Sequence, residues 1–97
     1  MRNYDKANQR YREIQLDLMN NKNILLYNAK INMHTDIKIR YIYEPQLFLY
    51  YVESSNNKIW CSPRSQDGAC FHSVVHARNA VDELSMKFGI NFEVIEI

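Results

Sequence analysis

The chain has 97 residues, 46% of them hydrophobic, with 12 Lys+Arg against 11 Asp+Glu. A chain of this size buries a little over ~60% of its unfolded surface, enough for one core and too little for two. The formal charge of +1 disfavours both an acidic nucleic-acid mimic and a strongly basic phosphate-binding arm.

Two Gly and two Pro leave little room for linkers or glycine-rich phosphate loops. Cys61 and Cys70 are a thin framework for a disulfide-stabilised fold, so reduced thiols in a cytoplasmic protein are expected. The polar start of the chain does not read as a signal peptide. Its longest apolar run, residues 47–52, is far below the roughly 18 residues that suggest a membrane span. No membrane partner is expected.

In chain order, Tyr4, Ala7, Tyr11, Ile14 and Leu18 recur at three- and four-residue steps and predict a helix over residues 3–20. The Asn-rich run 20–23 ends it. From Ile24 the period becomes two, predicting a half-buried strand over 24–33, and a second alternation follows over 37–43. Pro45 turns the chain. Residues 47–52 are apolar on both sides, as in a central strand. Residues 54–57 read as a hairpin loop into a strand over 58–61, and residues 62–68 form the longest turn-rich stretch.

Cys70, Val74, Ala77, Val81, Leu84 and Phe88 predict a second helix, with Ser65 or Asp67 serving its N-terminus and Gly89 stopping it. Residues 90–97 read as a last strand. The order α-β-β-β-β-α-β predicts a single α+β domain over residues 1–97. Its sheet is mostly antiparallel, with four or five strands and both helices on one face. The other face, expected to carry Asn28, Lys30, Asn32, Lys38 and Arg40, is left for water or a partner.

Cys61, Cys70, His72 and His76 have the chemistry of zinc ligands, but their spacing does not form a knuckle and helical geometry sets the histidines away from Cys70. No metal or other cofactor is expected. A Cys-His nucleophile pair requires a base within hydrogen-bond reach and a third orienting group, and Cys70 on an apolar stripe reads as a small core residue. No catalytic residue is assigned and the chain is not expected to be an enzyme. His72, His76 and Asn79 instead suggest a contact surface, as does the 63–68 loop, where Arg64 and Ser65 precede the expected helix N-terminus.

Residues 1–64 carry ten Lys/Arg and six Asp/Glu, a balance of +4, whereas residues 65–97 carry two and five, a balance of −3. Lys38 and Arg40 on a sheet face with Tyr50 or Trp60 among them would suit a nucleic acid. Seven Tyr, one Trp and four Phe suit a protein partner better, because Tyr and Trp join a large apolar area to a polar tip. Lys38, Arg40, Tyr50, Trp60, Arg64, His72, His76 and Asn79 are the candidate contact residues.

A short domain rich in Asn, Ile, Lys and Tyr resembles, in composition alone, the small accessory proteins of AT-rich phages and mobile elements. The leading expectation is a stoichiometric binder that occludes a larger host protein or defence complex, an anti-CRISPR-like or similar anti-defence role. A small nucleic-acid-binding domain is the first alternative, and a self-associating protein, as a homodimer for example, is the second.

Overall fold

The computed structural model describes residues 3–22, 24–26 and 37–97. Helix α1 spans Asn3–Lys22, followed by strands β1 (Ile24–Leu26), β2 (Ile37–Glu44), β3 (Leu47–Ser55) and β4 (Lys58–Ser62), helix α2 (Val74–Phe88) and strand β5 (Glu93–Glu96). This is the α-β-β-β-β-α-β order that the patterning predicts. The sheet runs β1-β4-β3-β2-β5. Its pairs are antiparallel except β1 with β4, where Ile24 to Leu26 lie parallel to Ile59 to Cys61. The doubly apolar strand β3 takes the central position expected of it.

The turns follow from their residues. β2 and β3 are joined by a turn at Pro45 and Gln46, where proline's missing donor costs nothing. β3 and β4 are joined through Asn56, whose φ of 45° is left-handed backbone that Asn tolerates better than most residues. α2 ends at Gly89, where a φ of 69° lets the amide bond back to Ser85 O.

One core unites all the elements. Ile24, Ile39, Leu49, Ile59 and Cys61 supply it from the sheet, Leu18 from α1, and Ala77 and Leu84 from α2. Both helices therefore pack on one face. Tyr41 and Tyr51 join from the same face, each meeting the Phe92 ring edge-on with centroids 6.2 and 5.9 Å apart. α1 is tied to the end of β2 by an Arg10–Glu44 ion pair and by the Tyr43 hydroxyl, which donates to Asp17 at 2.5 Å. That hydrogen bond, with burial and the Asp17 charge behind it, pushes the Tyr43 phenol up to about 12.

Three expectations are corrected. Tyr11 does not share the buried stripe of Ile14 and Leu18, being 41% exposed. The second helix starts at Val74 rather than near Cys70, and its N-cap is Ser73, whose hydroxyl accepts from the His76 amide at 3.2 Å. Residues 69–71 are held extended by two strands, Ala69 N–H donating to Tyr51 O at 2.8 Å and Phe71 N–H to Ile37 O at 3.0 Å. The helix thus begins only after the chain leaves the sheet. Finally, Asp67 caps nothing: it closes a three-residue 3-10 turn, Ser65–Asp67, and is fully buried. The predicted strand beyond Leu26, with Asn28, Lys30 and Asn32, lies outside the described residues.

Candidate functional site

Period two divides the side chains of each strand between two faces. Opposite the helices lie Lys38, Arg40 and Ile42 of β2, Phe48 and Tyr50 of β3, and Trp60 and Ser62 of β4. Register aligns Glu93, Arg40, Tyr50 and Ser62 into one polar row crossing β5, β2, β3 and β4. Apolar groups flank it: Ile42 pairs with Phe48, and Trp60 lies opposite Leu25 on β1.

At one end of the row, Arg40 donates from Nε to Glu93 Oε1 at 2.6 Å, and its Cζ lies 4.0 Å from the centroid of the Phe48 ring. Charge pairing and a cation over a ring face thus hold the same guanidinium. The Glu93 hydrogen bond, and the Tyr50 phenol beside it, raise the Arg40 pKa further above neutrality.

At the other end the loop 63–68 folds down onto the sheet. Gly68 makes the close approach: a Cβ there would stand 3.1 Å from Lys38 Cδ and 3.2 Å from Tyr50 Cβ. Beneath the loop, Asp67 accepts from Ser62 Oγ at 2.6 Å and from Arg64 through both carboxylate oxygens, at 3.0 and 3.1 Å. Lys38 Nζ donates to Ser65 O at 2.6 Å. Burial alone would raise the Asp67 carboxyl, but the Arg64 and Ser62 hydrogen bonds, with the Arg64 and Lys38 charges, outweigh it and hold the group below the usual carboxylate range.

This arrangement changes the standing of several candidates. Lys38 lies on the predicted face but is only 4% exposed, because the loop closes over its stem and its ammonium serves a loop carbonyl. Arg64 spends its fork on Asp67, and Ser65 opens a 3-10 turn rather than α2, so the loop does not lead into a helix N-terminus as expected. Arg40, Tyr50 and Trp60 share the open face and are partly exposed. His72, His76 and Asn79 are exposed at the start of α2, on the helix-covered side, with the two imidazole rings edge-to-face at 6.0 Å. The eight candidates therefore form two groups on opposite sides of the sheet.

Cys61 lies in the core and Cys70 is half-buried, its thiol 3.9 Å from Gly68 O. Burial pushes the Cys61 thiol up, away from nucleophilic thiolate chemistry. Among the described residues no three of His, Cys, Asp and Glu gather as a metal-ligand set, and no helix is long and apolar enough to cross a membrane. A shallow depression of about 310 Å³ on α1, lined among the described residues by Tyr11, Arg12, Gln15, Leu16 and Met19, contains none of the candidates.

Sequence reasoning missed Ile42, Phe48 and Glu93. The first two carry a readable signal, since both alternate onto the Arg40 face across a short hairpin. Glu93 joins them only through the pairing of β5 with β2. No protein-family model, curated protein or solved structure matches the chain.

Proposed function

We propose that the protein is a non-enzymatic binding module acting in the cytoplasm, a stoichiometric inhibitor that lays the open face of its sheet over a functional surface of a larger protein. The observation that carries this reading is the make-up of that face. Ile42 is 47% exposed beside partly exposed Phe48, and Tyr50 and, across the polar row, Trp60 are partly exposed on the same face, apolar and aromatic groups of the kind that supply interface hot spots. The basic groups around it are already paired within the chain, Arg40 to Glu93 and Arg64 to Asp67, with Lys38 on Ser65 O. A polyanion gains little from charges so engaged, which favours protein over nucleic acid. The composition it shares in style with phage accessory proteins supports a host complex as the target.

Affinity capture from host lysate tests the reading, run across salt concentrations, with and without nuclease, using the wild-type chain and an Ile42→Asp variant. The expected result is a nuclease-resistant partner in stoichiometric amount, retained by the wild type and lost by the variant. Nuclease-sensitive capture would move the assignment to nucleic acid, and recovery of the chain alone, as a dimer, to self-association.

A further inference from the structure

We infer that Arg40 is a carboxylate-binding anchor, its guanidinium held ready for one acidic side chain of a protein partner whose neighbouring apolar side chain packs on Ile42 and Phe48. The inference rests on the protein-binding reading and names the chemistry by which that face would recognise its partner.

The argument begins with restraint. A free arginine loses much rotamer entropy when it engages a ligand. Here the guanidinium carbon lies over Phe48, 4.0 Å from the ring centroid, and Nε is tied to Glu93 at 2.6 Å. Both restraints act before any partner arrives.

The donors come next. A guanidinium has five N–H groups in a planar fork; Glu93 takes the one on Nε and the Tyr50 phenol oxygen accepts another, which leaves three N–H groups on the terminal nitrogens for a carboxylate. The side chain keeps 25% of its surface exposed. Tyr50, its cross-strand partner, accepts from the guanidinium, a third restraint, and its own O–H remains to donate to the same ligand.

Local charge then selects the ligand. Glu93 stands beside Arg40 with 44% of its side chain exposed, while Lys38 and Arg64 are engaged under the loop. The field is close to neutral and attracts a dense anion little, yet one carboxylate meets directed N–H donors. The surroundings of that fork are apolar, Phe48 beneath it and Ile42 beside it. The matching motif is therefore Asp or Glu next to Leu, Ile or an aromatic residue.

The test selects a random displayed-peptide library on the full-length chain and on an Arg40→Gln variant, mapping each selected peptide by amide chemical shifts of the labelled protein. Expected are peptides with an acidic residue adjacent to an apolar one that shift residues 40, 42, 48 and 50. Affinity should fall roughly tenfold when the peptide Glu becomes Gln or Arg40 becomes Gln, with no further loss when both change. Arg40→Lys, keeping charge without the fork, should recover only part of the affinity, and matching thermal unfolding curves exclude misfolding as the cause. Peptides that map to this face without a carboxylate, or that ignore Arg40→Gln, would overturn the anchor and leave the protein-binding reading intact. No peptide mapping to the face, or capture there of a single-stranded oligonucleotide instead, would overturn both.

Discussion

On β2, Ile39 is sealed into the core while its neighbour Arg40 emerges on the opposite face, held by a carboxylate and a ring. The same contrast repeats on β3 between Leu49 and Tyr50, and on β4 between Ile59 and Trp60. The helix-covered face is built of buried aliphatic side chains whose whole contribution is packing. The open face is heterogeneous: a buried polar clasp under the 63–68 loop at one end, and a half-exposed apolar and cationic patch at the other. One sheet thus separates a close-packed face from a partly exposed one by strand parity, and a substitution's effect depends first on which face it enters.

The comparison breaks most sharply in the core. Ile59→Ala should lose about 2–5 kcal/mol in urea unfolding, because the deleted methyl groups leave a cavity in the middle of the sheet. A loss comparable to that of an open-face substitution would mean that the covered face is not the stabilising one.

The clasp tests whether the open face also contributes to folding. Asp67→Asn should cost about 1–3 kcal/mol near neutral pH, since it weakens the Arg64 fork and removes the charge that Lys38 and Arg64 face. Asp67 is more acidic when folded than when unfolded. The unfolded chain therefore binds more protons in the window below the ordinary aspartate value of about 3.9, and stability there rises with pH. The contribution is fully present above that value and is lost as pH falls through the folded one. Urea midpoints measured from neutral pH into acid should converge for the wild type and Asp67→Asn. Parallel curves would remove Asp67 from the account.

The smallest effect on stability belongs to the exposed apolar patch proposed to bind a partner. Ile42→Thr keeps a β-branched residue on a strand position already open to water, so stability should stay within about 0.5 kcal/mol while partner capture falls. A stability loss as large as that of Asp67→Asn would place Ile42 in the fold rather than at the interface.

The order of elements was legible because each carries a local signature: period two from Ile37 to Tyr43, Asn56 where the backbone turns left-handed, and Gly89 after Phe88. The start of α2 was not. Ser65, Asp67 and Ser73 are all good caps, and only the capture of residues 69–71 by β3 and β2 decides among them. Alternation placed Lys38 and Arg40 on one face, but whether Tyr50 and Trp60 share it depends on strand register, and whether a face stays open depends on where a later loop lies. Lys38 was lost to the loop for that reason. Glu93 needed the pairing of β5 with β2, a long-range fact that spacing does not encode. The opposed charge of the two stretches dissolves for the same reason, because Arg40 and Arg64 find their carboxylates in the second stretch.

The two backbone hydrogen bonds that residues 69–71 donate to Tyr51 and Ile37 also bear on the order of assembly. Neither acceptor is in place until the β2–β3 hairpin has paired, and hairpin closure is local and fast, whereas the return of a distant segment costs loop entropy. α2 is therefore expected to dock after the hairpin has formed. The segment works as a latch in time as well as in space: amides of β2 and β3 should gain protection from hydrogen exchange before those of α2 as the chain folds.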